Sequence, residues 1–221
     1  MPDGLKKTSL FLGPLFLGLP EDDRRALADK AVIRTFPEKA MVITEGEFTG
    51  SLYVVLSGKV KVCLGDESGK ELVLAIKGPG GYFGEMALDD RPRSASVVTL
   101  EPSQFAVISK TDFEQLLLEH SEISLHVIRN LIHIVRILNN NVRSFAMLDV
   151  YGRVSRLLLD LAVDQEGEVV ISEKLTRQDV ANRVGASRDM ISRIFGRLTL
   201  GGYIKVEGKK ITINKALPPR L

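Results

Sequence analysis

The segment TRQDVANRVGASRDMISRIFGRLTLGG, residues 176–202, decides the architecture of the C-terminal part of this 221-residue chain. Thr176 and Asp179 have the spacing of a capping box, a hydroxyl at the N-cap with a carboxylate three residues on. The helix they open, 177–184, stops at Gly185, whose missing Cβ suits a left-handed C-cap. Ala186 and Ser187 complete the turn, and Ser187 caps a second helix, 188–200, that stops at Gly201-Gly202. Two short helices joined by a three-residue turn beginning with Gly form a helix-turn-helix. Strands at 203–206 and 210–213, joined around Glu207-Gly208-Lys209, add a β-hairpin wing.

The second helix has two chemical faces. Ile191, Ile194 and Leu198 lie on one, facing a core. Arg188, Asp189 and Arg193 lie on the other. A guanidinium bonds guanine O6 and N7 bidentately, and a carboxylate accepts from cytosine N4. Recognition helices present such residues at their N-terminal end. Lys209, at the tip of the wing, is placed to meet a phosphate.

Charge follows the same division. The whole chain is nearly neutral, with 30 Lys and Arg against 28 Asp and Glu. Residues 171–221 hold 11 basic against 4 acidic residues, a net of +7, whereas residues 1–148 hold 17 against 19. A basic quarter on a neutral body is the electrostatic footprint of a polyanion-binding module.

Upstream, residues 111–148 contain no Pro and no Gly. Ile128, Val135 and Val142 recur every seven residues, and Leu131, Leu138 and Phe145 follow each by three. β-Branched residues at a and mostly Leu at d favour a parallel two-stranded coiled coil. His126 and His133 take the outer f position, about 10 Å apart along the axis, too far to share one metal. Between about 40 and 110 the pattern is β. Alternating or β-branched runs at 41–44, 52–55, 60–64, 72–76, 95–99 and 105–108 are punctuated by Gly, Pro and turn clusters, as in an antiparallel sandwich or barrel. The apolar stretch 9–20 is too short and too broken by Gly and Pro to span a membrane. It reads as a docking segment before a short helix near 21–31.

Several classes drop out. A single cysteine, Cys63, leaves no disulfide framework and no Cys cluster for an iron–sulfur centre, and favours an intracellular compartment. No Walker A loop and no G-x-S-x-G elbow exists. No metal-ligand cluster is visible, so no metal is expected.

Three motifs stand in order: Phe83-Gly84-Glu85-Met86-Ala87-Leu88 followed by Arg93-Ser94-Ala95; Leu148-Asp149-Val150-Tyr151-Gly152-Arg153; and the segment from Thr176 to Arg193. Together they resemble the cyclic AMP receptor protein/fumarate-nitrate regulator (CRP/FNR) superfamily of bacterial transcription regulators, over nearly the whole chain. The resemblance implies an α+β chain. An N-terminal jelly-roll, cyclic-nucleotide-binding-like β-roll would occupy 1–110, a long coiled-coil dimerisation helix 111–148, and a winged helix-turn-helix 149–221. It implies a cytoplasmic homodimer, without enzyme activity, whose binding to double-stranded promoter DNA is gated by an effector and which works with RNA polymerase.

The resemblance also assigns residues. Arg188, Asp189 and Arg193 would read bases. Thr176, Arg177, Gln178 and Ser187 would hold phosphates. Gly84, Glu85, Met86, Arg93 and Ser94 would form a phosphate-binding cassette, with Leu138 and Asn139 where the cyclic AMP receptor presents a Thr-Ser pair to adenine. Gly84 lets the backbone approach a ligand, and Glu85 can accept from a ribose hydroxyl. Arg93, on a polar loop, can pair with a phosphate, and Ser94 adds a hydroxyl. Arg93 follows Glu85 by eight residues, one or two fewer than is usual. Asp189 stands where Glu is usual, one methylene shorter, so the half-site is TGTGA-like with an altered preference at that base. Cyclic AMP leads as effector; cyclic GMP, cyclic di-GMP and a roll that binds nothing stay open. So does a cyclic-nucleotide-binding subunit that does not act on DNA.

Overall fold

The computed structural model of the chain describes residues 18–67 and 69–218. Most of the apolar stretch at 9–20 lies outside them. Contacts divide the chain into two compact units, one of residues up to Gly69 with Val73–Val135, the other of Lys70–Leu72 with residues from 136.

The first unit opens with helix α1, Glu21–Lys30. Eight strands follow: β1 Val32–Phe36, β2 Met41–Ile43, β3 Ser51–Ser57, β4 Val60–Gly65, β5 Glu71–Lys77, β6 Tyr82–Phe83, β7 Ser96–Thr99 and β8 Ser103–Ser109. They make two four-stranded sheets, ordered β1-β8-β3-β6 and β2-β7-β4-β5, with antiparallel pairing. The expected sandwich is present, with β1 and β6 added to the six runs read from the pattern.

Sheet β1-β8-β3-β6 is apolar on both faces because β3 and β8 alternate apolar residues with apolar residues. Leu52, Val54, Ala106 and Ile108 pack towards helices, together with Leu27, Phe113, Leu116 and Ile123. Val55, Phe83 and Phe105 face the other way, into a core shared with Ile43, Val60 and Val97. There Tyr53 stacks on Phe83 at 5.0 Å, and Phe105 meets both rings edge-on.

The stretch after β8 is not one helix. Helix α2, Lys110–Glu119, is capped by Ser109, which accepts from the Asp112 amide. The chain then turns at His120, which is extended (φ −123°, ψ 95°), before helix α3, Ser121–Met147. The break has a tertiary cause. His120 Nδ1 lies 2.7 Å from Oδ1 of the buried Asp23 on α1, while Phe113 and Leu116 before the break and Ile123 after it all reach the same core.

The second unit contains the end of α3, helix α4 Val150–Leu161, strands β9 Val163–Gln165 and β10 Glu168–Ile171, helices α5 Arg177–Val184 and α6 Arg188–Leu200, and the wing strands β11 Ile204–Glu207 and β12 Lys210–Ile213. The acidic stretch at 164–168 lies in a hairpin. Glu166 and Gly167 take positive φ (54° and 88°), which suits a two-residue connection. The strands form one sheet, β11-β12-β10-β9. Its apolar residues Ile171, Ile204 and Ile211 close a core with Val154, Leu158, Val180, Ile191, Phe195 and Leu198.

Candidate effector site and nucleic-acid interface

The residues expected to form a phosphate cassette come together in the first unit. Gly84 ends β6 in the left-handed region (φ 88°) and starts a 3-10 turn, Glu85–Asp89. Only glycine fits there, since a Cβ would lie 2.7 Å from the Ser51 carbonyl oxygen and 3.3 Å from Arg93 Nη1. Glu85 is half-buried at the start of the turn and Met86 is exposed. The Ser94 hydroxyl donates to Met86 Sδ at 2.9 Å.

Arg93 departs from expectation. It is not on the surface of a polar loop: it is 4% exposed. Its Nε donates to Thr49 Oγ1 (2.8 Å), its Nη1 to the Gly84 carbonyl (2.7 Å) and its Nη2 to the Ser51 carbonyl (2.8 Å). Its own backbone is tied to Gly46 and Glu47. Burial lowers its pKa from the ordinary guanidinium value, with Tyr53 and Glu85 acting the other way. Among the described residues it is a buried cation held by neutral acceptors alone.

Upstream, the buried Tyr82 hydroxyl accepts from Asn130 Nδ2 on α3 at 2.7 Å. Burial pushes the phenol up to about 12, and the Asn130 donor opposes the rise.

The a/d residues of α3 are uncovered in the single chain. Ile128, Leu131, Val135, Leu138, Val142 and Phe145 are 39–66% exposed. Asn139, beside them, is exposed as well. Leu138 and Asn139 belong to the second unit.

In that unit the capping box forms as read: the Thr176 hydroxyl accepts from the Asp179 amide, and the Asp179 carboxylate accepts from the Thr176 amide. The Thr176 hydroxyl also donates to Asp179 at 2.7 Å, so that proton is already engaged. Gln178 is bonded to Asn182. Arg177 does not simply extend into solvent. Its guanidinium lies 3.7 Å from the centre of the Phe195 ring, and burial lowers its pKa. Gly185 caps α5 at φ 63°, and a Cβ there would lie 3.0 Å from Phe145 Cε1. Ser187 caps α6 by accepting from the Met190 amide. Arg188, Asp189 and Arg193 are all exposed, opposite the buried Ile191, Ile194, Phe195 and Leu198. Lys209 is exposed in the wing turn.

Residues 33–120 match the model of the cyclic nucleotide-binding domain, and residues 152–216 that of the Crp-like helix-turn-helix domain. A CRP-like cAMP-activated global transcriptional regulator of Mycobacterium tuberculosis is 31% identical over 205 residues, covering 90% of this chain and 92% of that protein. The cAMP-activated global transcriptional regulator CRP of Pasteurella multocida is 33% identical over 186 residues, 82% of this chain and 89% of that one. The chain belongs to the CRP/FNR superfamily. Among solved structures, the c-di-GMP responsive global regulator CLP of Xanthomonas campestris is 26% identical with a TM-score of 0.78, covering 89% of this chain and 100% of that one.

As a CRP-family protein it is a DNA-binding transcription regulator with a cyclic-nucleotide-binding domain, and its relatives are regulators, not enzymes. No helix among the described residues is long and apolar enough to cross a membrane. No group of potential metal ligands occurs among them either.

Sequence reading missed the residues that hold the sites in place. Thr49 and Ser51 carry no motif, yet they hold Arg93. Arg153 was read only as the last residue of the 148–153 motif. Its Nε donates to the Val184 carbonyl (2.8 Å) and its Nη1 to the Leu148 carbonyl (2.9 Å), and its guanidinium lies over the Phe145 ring at 5.2 Å.

Proposed function

We propose that this CRP-family chain is a homodimeric, cytoplasmic regulator whose promoter binding is gated by a cyclic nucleotide held in the β-roll. The observation that carries the reading is Arg93. A buried guanidinium bonded to two carbonyls and a hydroxyl, beside a left-handed Gly84 and the turn starting at Glu85, offers a phosphate the counter-charge that the protein itself withholds. Gly84, Glu85, Met86, Arg93 and Ser94 contact the phosphate and ribose, and Leu138 with Asn139 meets the base. Cyclic AMP is the first expectation, supported by the relatives named for it. Cyclic di-GMP is the second, favoured by the CLP likeness and by an apolar Leu138 where a hydroxyl would meet adenine.

The exposed a/d face of α3 is the seam between two subunits. In that dimer the two α6 helices enter successive major grooves, with Arg188, Asp189 and Arg193 reading bases. Arg177, Gln178, Ser187 and Lys209 meet phosphates, with Thr176, its donors taken by Asp179, fixing the start of α5 beside them, and RNA polymerase is the further partner. The functional regions are the roll at 1–110, the dimerisation segment at 111–148 and the DNA-binding module at 149–221. Calorimetric titration with cyclic AMP, cyclic GMP and cyclic di-GMP tests the effector. Tight, saturable binding of one, with a matching rise in affinity for a duplex bearing inverted TGTGA half-sites, is the expected result. Heat from none of the three sinks the gating reading.

A further inference from the structure

Among the described residues, two polar ties join the segment from Tyr82 to Asp90 to the helices of the first unit. At its start, Tyr82 accepts from Asn130 on α3. At its end, Asp90, left-handed at φ 58°, pairs with Lys110 at the first position of α2. They differ in kind. Asp90 is 85% exposed in its pair, and solvent-exposed ion pairs transmit little energy. The Tyr82 hydroxyl is buried, where loss of a partner is felt in full.

The path from Arg93 to Tyr82 contains no loose link. Nη1 of Arg93 holds the Gly84 carbonyl. Phe83 precedes Gly84, stacked on Tyr53 and paired with it in the β3–β6 ladder. Tyr82 is the other member of the two-residue strand β6, paired with Val54. A phosphate that draws on the N–H groups of Arg93 competes with the Gly84 carbonyl for them. Any resulting shift of Gly84 passes through two ordered residues to the Tyr82 hydroxyl, and so to Asn130.

We propose that the buried Asn130–Tyr82 hydrogen bond is the coupling through which occupancy of the 84–94 cassette reaches α3. Tyr82 and Asn130 are positioning residues: neither touches effector or DNA. The inference rests on the gating reading above and names the contact that performs it.

The test uses the full chain and the ratio of its dissociation constants for the inverted TGTGA duplex without and with cyclic nucleotide. Wild type, Tyr82→Phe, Asn130→Leu, the double variant and Lys110→Ala are compared, each with cyclic AMP, cyclic GMP and cyclic di-GMP. Each single substitution at the buried bond should lower the ratio by about three- to tenfold, the range one hydrogen bond supplies. The double variant should lower it no further, because both changes remove one interaction. By linkage, DNA should tighten nucleotide binding less by the same factor. Lys110→Ala should leave the ratio within about twofold, since its partner Asp90 is exposed. Melting curves report stability separately. A Tyr82→Phe variant that melts earlier yet keeps the full ratio reduces the bond to a structural role and overturns the proposal. So does a Lys110→Ala variant with the larger effect. A wild-type ratio of one with all three nucleotides overturns the gating reading and this inference with it. A large wild-type ratio untouched by Tyr82→Phe overturns the inference alone.

Discussion

The guanidinium of Arg177 sits over the ring of Phe195, 3.7 Å from its centre, so the first helix of the DNA-reading pair is fastened to the second by a cation and an aromatic face. Arg177→Ala should cost about 1 kcal/mol of stability, within the range of partly desolvated cation–π contacts. It should also weaken specific and scrambled duplexes alike. Arg177→Lys, which keeps the charge but loses the planar stack, should melt nearly as early while recovering part of the affinity. An Arg177→Ala protein that melts with wild type would show that the stack contributes nothing.

Arg188 stands at the first position of α6, exposed, with Arg193 five residues on. Its truncation to Ala should cost about 1–3 kcal/mol per half-site on the specific duplex and much less on random DNA. Lys209→Ala should weaken both duplexes equally and reduce the salt slope by about one. Equal losses on both duplexes for Arg188→Ala would make Arg188 a phosphate contact.

With the a/d face of α3 uncovered in one chain, light scattering should give about 49 kDa, twice 24.4 kDa. Val135→Lys should give monomers with weak DNA binding, since two ammonium groups would meet across an apolar seam. A monomeric wild type refutes the seam.

Truncating Arg93 does more than remove a charge. It leaves the carbonyls of Gly84 and Ser51 and the hydroxyl of Thr49 without their donor, in a buried place. Arg93→Ala should lower stability by about 1–3 kcal/mol and abolish calorimetric heat with phosphate-bearing effectors. Circular dichroism at the titration temperature separates the two losses. Undiminished nucleotide binding would end the cassette reading.

Tyr82 supplies a pH signature. Its folded-state pKa is raised to about 12, above the ordinary tyrosine value near 10. The stabilisation linked to it is therefore complete below pH 10 and lost as pH rises towards 12. Ultraviolet titration should show a late phenolate step that Tyr82→Phe removes. A titration curve that Tyr82→Phe leaves unchanged at high pH would contradict the burial argument.

The helix-turn-helix was legible almost residue by residue because its signals are local: a capping box, a left-handed glycine and a second cap each act within four positions. The sandwich was legible as a class, but β1 and β6 were not. β1 is an edge strand with mostly exposed residues, and β6 has only two residues. The break at His120 was invisible, because no Gly or Pro marks it and its cause is Asp23, 97 residues away. Arg93 was identified by motif, yet its burial depends on Thr49 and Ser51, which only the folded roll brings to it. Tyr82 and Asn130 carry no sequence signal, being ordinary residues of a strand and a helix until they meet.

Phe145 belongs to the exposed stripe of α3, and its ring also fills the space beside Gly185, while Arg153 reaches from that ring to the end of α5. A chimera that exchanges DNA-reading modules between relatives at Asp149, where the C-terminal module was read to begin, would pair the turn of one protein with the aromatic wall of another. The graft that keeps its own wall begins near Arg136, inside the helix, and takes the last three turns of α3 with it.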